Sequence, residues 1–176
     1  MFVKRFLRDV SATAAVEFAI IAPLMLASYF GLAEVTTGMV VQRRISHTAS
    51  TIGDIVAQGS TTTEAQITDV FTAGQTIVAP FDTTLLQMRL TSIVADAGDV
   101  TTVDWSEPSG SMAALAHGAS ISVPSTVISA GQSVIRADVS YVYTSPVNWV
   151  LTSPITFNYT YYLKPRVSNS VTCADC

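Results

Sequence analysis

Between Val10 and Ala33 the chain runs for 24 residues with one charged side chain, Glu17. No other feature limits the fold so strongly, because a run of that length with a single charge is long enough to span a bilayer. As a helix it would extend about 36 Å, against a hydrocarbon core of roughly 30 Å. Pro23 would break a helix in water, but a membrane helix tolerates it through local adjustment. Glu17 is the expensive member, since a carboxylate at bilayer depth costs roughly 2.5–3.5 kcal/mol. It lies only about 10 Å along the helix from Val10, so snorkelling to the headgroups would relieve it.

The flanks give a direction. Lys4, Arg5 and Arg8 precede the run, and Arg43 and Arg44 follow it. This small basic excess puts the N-terminus in the cytoplasm and the remainder outside. A cleaved secretory signal peptide is the alternative, with "MFVKRFLR" as its basic region and "GLA" as a small-residue cleavage site. The length of the run, the interruption at Glu17 and the pattern that follows all argue against it. Val41, Ile45, Ala49, Ile52 and Val56 recur at helical spacing, one stripe of a continuing amphipathic helix. One long helix is therefore predicted, lipid-embedded first and amphipathic after.

Downstream, "QGSTTT" (58–63) reads as a linker and Thr61-x-x-Glu64 as a capping box. Ile67, Val70, Phe71, Ile77 and Val78 then follow helical spacing until Pro80 stops them. "LLQMRLTSIVAD" (85–96) and "VTTVDW" (100–105) flank the turn Ala97-Gly98-Asp99 and read as a hairpin. "SVIRADVSYVYT" (133–144) alternates, with Ile135, Ala137, Val139, Tyr141 and Tyr143 expected in the core. "ITFNYTYYL" (155–163) is a last aromatic strand, and antiparallel order by short connections is the simplest topology. "SPVNWVLTSP" (145–154) is either a core turn or an exposed docking surface. Large aromatics are mostly buried, so core packing is expected for Trp149 and for Trp105.

Charge and motif content exclude several chemistries. Only 12% of residues are charged and mean hydropathy is +0.42, low in charge for a free-standing soluble protein. Beyond residue 44 four basic residues face ten acidic ones, leaving no footprint for nucleic-acid phosphates. There is no phosphate-binding G-x-x-x-x-G-K-[ST] loop, no G-x-S-x-G elbow and no H-E-x-x-H. His47 and His117 have no oriented nucleophile beside them in sequence, so each reads as a solvated or interfacial histidine. Asp96, Asp99, Asp104 and Glu107 cluster near the hairpin but lack a calcium-loop spacing, and a solvated face is expected. Cys173 and Cys176, in "TCADC", cannot complete a four-ligand zinc site alone. They read as a short terminal disulfide or two free thiols. No metal or cofactor is expected.

The basic leader, "ATAAVEFAIIAP", the early proline and the β-rich C-terminal part together resemble the TadE-like family. These are bacterial pseudopilin-type proteins of the tight-adherence (Flp) type IV pilus machinery. "VTTVDWS" (100–106), "SVIRADVSYVYTS" (133–145) and "YYLKPRVSNSVTC" (161–173) look like later blocks of its alphaproteobacterial members. The resemblance implies a prepilin peptidase that removes a basic leader and leaves a glutamate fifth in the mature chain. Counting back from Glu17 puts the cut after Ala12, with Thr13 first. It also implies that Glu17 pairs with the freed amine of a neighbouring subunit, which would offset part of the cost of burying either charge.

The expected fold is α+β and pilin-like: a long membrane-spanning helix, a short helix and a small antiparallel sheet. The parts are residues 1–12 as basic leader, 13–57 as transmembrane and amphipathic helix, and 58–176 as a periplasmic α+β domain. The expected role is non-enzymatic: a minor pseudopilin or assembly component in the bacterial inner membrane. Its partners would be the bilayer, other pilin-like and assembly proteins, and the prepilin peptidase. Phe18, Pro23 and Leu32 lie in the stretch expected to pack against neighbouring helices. The rival readings are a tethered envelope protein that binds ligands and never enters a filament, and a secreted hydrolase released near Glu34.

Overall fold

The computed structural model describes residues 13–176; the expected leader 1–12, with Ala12, lies outside the described residues. One unbroken helix, α1, runs Thr13–Ala57 and passes through Pro23 without ending. Contacts divide the described residues into two units, 13–38 with 144–153, and 39–143 with 154–176.

In the second unit, α1 buries the stripe read from the sequence. Val41, Ile45, Ala49 and Ile52 are fully buried and Val56 nearly so. Each buried branched side chain contributes about 1.5–3 kcal/mol as an upper bound. The helix ends where Gly59 donates to the Val56 carbonyl, while the Arg166 N–H bonds the Ala57 carbonyl at 2.9 Å. The Arg166 side chain pairs with Asp54, one turn back.

The linker differs from expectation. Thr61–Thr62 form a short strand, β1, parallel to Thr172–Cys173 (β6). This pairing draws the first two of three threonines into extended backbone, so the cap falls on Thr63. Its side chain accepts from the Gln66 N–H at 3.2 Å, and the capping box expected from Thr61 does not form. The Glu64 N–H instead donates to Asp175 Oδ1 at 3.0 Å. Helix α2 spans Glu64–Val78 and buries Ile67, Val70, Phe71, Gly74 and Val78. A side chain at Gly74 would meet Met88 Sδ at 2.9 Å and Ile52 at 3.1 Å. Glycine there lets α2 close onto α1 and the sheet.

Strands β2 (Leu86–Ala95), β3 (Thr101–Ser109), β4 (Ser133–Tyr143) and β5 (Ile155–Leu163) form one antiparallel sheet in the order β3-β2-β4-β5. Short connections alone would have placed β4 beside β3. Instead β4 pairs with β2, and the segment 110–132 crosses to bring it there. Strand β2 buries residues on both faces, which suits a central strand. Part of 110–132 covers the β3 edge, with Val103 donating to the Ala119 carbonyl and accepting from Gly118. That removes one open edge.

The sheet faces follow the alternation of β4. Ile135, Ala137, Val139, Tyr141 and Tyr143 are all buried. Gly53 of α1 sits against this face, since a Cβ there would run into Leu163 and Ala137. The opposite face is covered too. At one end Ile93, Ala95, Ile128 and Val134 form a second small core. Beside it, Asp138 accepts from Arg89 Nη2 at 2.8 Å, Arg136 Nε at 2.9 Å and the Thr160 hydroxyl at 2.6 Å. A register shift near Ser92 pairs Trp105 with Ser92 but Val103 with Ile93. Trp105 is buried as expected, its Nε1 donating to the Val171 carbonyl at 2.7 Å.

Candidate functional site

The first half of α1 is apolar on every side. Phe18, Ile20, Leu24, Met25 and Leu32 are all exposed, and so is Glu17. By length and composition the helix can cross a membrane. Its polar side chains fit that environment, because hydrocarbon offers no partner and each must be satisfied within the helix. Ser28 donates to the Leu24 carbonyl at 2.9 Å, Thr36 to Leu32 at 2.8 Å and Thr37 to Ala33 at 2.9 Å. The structure thus places Thr13, Glu17, Phe18, Pro23 and Leu32 on one exposed apolar rod.

Just past this rod stands a residue that pattern reading missed. Glu34 is only 3% exposed, although its neighbours along α1 face outward. The loop 144–153 wraps it. Oε1 accepts from the Trp149 N–H at 3.3 Å and Oε2 from the Val150 N–H at 2.6 Å. The Ser145 hydroxyl and the Leu151 N–H are directed at it as well. Charge-assisted bonds of this kind are about twice as strong as neutral ones, which is how a carboxylate is kept from water. A lone glutamate at the end of an apolar run carries no periodic signal. Its partner loop lies 110 or more residues away, so only the fold reveals the pair.

The same loop corrects the expectation for Trp149. It is 54% exposed rather than buried, with Val147 and Val150 exposed beside it. The reason is local: the loop turns its N–H groups inward to Glu34, which drives the side chains out. The Trp149 ring stacks on Phe30 at 6.4 Å, and Tyr29 meets Phe30 edge-on at 5.5 Å.

The remaining candidates resolve into local roles. Arg44, counted as a flanking charge, donates to the Ile77 carbonyl at 2.9 Å and to the Ala79 carbonyl, and its guanidinium lies over Phe81. It therefore caps the C-terminus of α2, where carbonyls lack helical partners and a cation is favoured. His47 is exposed with Nδ1 3.4 Å from the Thr51 hydroxyl, and His117 is exposed with Nδ1 against the Asp104 carbonyl. Asp96 tightens the hairpin turn, accepting from Gly98 at 2.7 Å and Val100 at 2.9 Å. Glu107 is partly buried; burial first, then the nearby Glu64 and Asp175 charges, raise its carboxyl above the ordinary value. Cys173 and Cys176 are joined as a disulfide with Cα atoms 5.6 Å apart.

No curated protein and no solved structure matches the chain. A family model does, and it falls on α1, covering most of the exposed rod and the buried stripe that continues it. Residues 12–53 match the model of the TadE-like proteins, the family that the sequence resembles and one associated with the tight-adherence pilus.

Proposed function

We propose that this chain is a non-enzymatic, membrane-anchored minor pseudopilin or assembly component of a tight-adherence type IV pilus. One observation carries the reading: a single helix is apolar on all sides for its first half and buries a stripe beneath a sheet in its second. That is the construction a filament subunit needs, since the same rod can rest in lipid and later pack against other rods. In this reading a prepilin peptidase cuts between Ala12 and Thr13, and Glu17 becomes the fifth residue. Its carboxylate then pairs with the new amine of a neighbour and fixes the axial register, while Phe18, Pro23 and Leu32 lie in the packing surface. The N-terminus is cytoplasmic, the anchor sits in the inner membrane, and the sheet-bearing part is periplasmic.

Glu17→Ala and Glu17→Gln, made in the full chain in its own cells, test the assignment. Piliation should be lost in both while membrane-bound protein stays at the normal level. Normal piliation with Glu17→Ala would favour the alternative, a tethered envelope binding protein that stays out of the filament.

A further inference from the structure

The loop 144–153 turns several polar groups in and three large apolar side chains out, while Thr144, Asn148, Thr152 and Ser153 stay exposed beside them. In water a loop turns polar groups outward and apolar ones inward. Here Glu34, the Ser145 hydroxyl and the N–H groups of Trp149 and Val150 face in, while Val147, Trp149 and Val150 face out. Large apolar side chains clustered at a surface mark a contact with something less polar than water.

The position of the loop along α1 says which. Counting from Val10, where the apolar run begins, at ~1.5 Å per residue, Phe30 would lie about 30 Å along the helix and Glu34 about 36 Å. A hydrocarbon core is roughly 30 Å thick, so these residues mark the level where the rod leaves it. Tyr29, Phe30 and Trp149 gather at that level in successive ring contacts. Aromatic rings with polar edges are enriched at this depth, where one end can be apolar and the other wet.

We propose that the 144–153 loop is a second membrane contact, held against α1 by Glu34 so that Val147, Trp149 and Val150 enter the headgroup layer of a phospholipid bilayer. The inference rests on the spanning reading of α1. It adds a fixed depth: a smooth apolar rod can slide along its axis, whereas a loop clamped to one turn stops it. Glu34 acts as a positioning residue, and the lipid contact belongs to the loop.

The test uses the full chain reconstituted into phosphatidylcholine vesicles that carry a spin-labelled lipid, with the label either near the headgroup or near the acyl end. Tryptophan emission is read for the wild type and for Trp149→Phe, which isolates Trp149 from the buried Trp105. The shallow label should quench the Trp149 component most and the deep label least, and Trp149→Phe should abolish the shallow quenching. Glu34→Gln should weaken it while the chain stays in the vesicles. Shallow quenching equal in the wild type and Trp149→Phe would overturn the proposal. So would Trp149 emission that follows protein-to-lipid ratio and ignores label depth, which would make a second copy the occupant. Flotation of the same samples separates the two claims. A chain that does not float with vesicles removes the spanning reading and this inference together, whereas one that floats with Trp149 unquenched removes only this inference.

Discussion

Replacing Asp138 with alanine should destabilise the sheet-bearing unit more than most single changes. The Asp138 side chain is 8% exposed and pairs with both Arg89 and Arg136, whose side chains are 15% and 21% exposed. Alanine would remove the acceptor of the Arg89, Arg136 and Thr160 bonds and leave two guanidinium groups close together. Removing one partner of a fully buried ion pair costs about 3–5 kcal/mol. Some water reaches these arginines, so about 2–4 kcal/mol is expected here. For a chain of this size that lowers the melting midpoint by roughly 5–15 °C. The assay is thermal unfolding of the full chain in detergent micelles, followed by circular dichroism in the β region. A cycle with Arg89→Ala should show coupling of at least about 1 kcal/mol between the two positions. The cycle also reports on the crossing segment, because Arg89 Nη1 donates to the Ala113 carbonyl at 3.0 Å. An unchanged midpoint for Asp138→Ala, or additive single mutants, would refute the network as a source of stability.

Other expectations follow from the same contacts. The raised Glu107 carboxyl binds its proton more tightly in the folded chain than in the unfolded one. Its contribution therefore favours folding below the ordinary carboxylate range and is lost as pH rises through the raised value. Glu107→Gln should raise the melting midpoint at neutral pH and give less gain near pH ~4, and a lower midpoint at neutral pH would contradict this. Arg44→Ala should cost about 1–3 kcal/mol by freeing the last carbonyls of α2, with hydrogen exchange of 75–79 rising first. Ile52→Ala should cost about 2–5 kcal/mol, because a fully buried side chain between α1 and Gly74 of α2 leaves a cavity there.

Periodic features were legible. The stripe from Val41 to Val56 repeats with the helix, and each of its members is buried. The two faces of β4 separate as strict alternation requires, though Val134 and Asp138 show that its other face is covered as well. Pairings between distant segments were not legible. Nothing in 133–143 announces that its neighbour is 86–95 and not 101–109, because strand pattern specifies a face and not a partner. The cap on Thr63 is equally hidden, since three consecutive threonines carry the same local signal and the pairing of β1 with β6 decides among them. Trp149 misled for a related reason. Size predicts burial on average, but Glu34 claims the backbone of its loop and turns the ring outward. In the candidate site, the exposed rod with Glu17 could be read from composition, and the Glu34 clamp could not.

These pieces give α1 two duties divided near residue 38: an apolar rod before it and the scaffold of a sheet after it. The division lets one chain carry both an apolar helix and a compact, acidic, sheet-bearing part. The central claim is that the rod belongs to a processed pilus component. Its most direct test is the intact mass of the protein recovered from bacterial membranes, with and without the prepilin peptidase. The account predicts a chain beginning at Thr13 when the peptidase is present and an unprocessed chain when it is absent. An uncut chain in both strains would contradict it and leave α1 a permanent anchor.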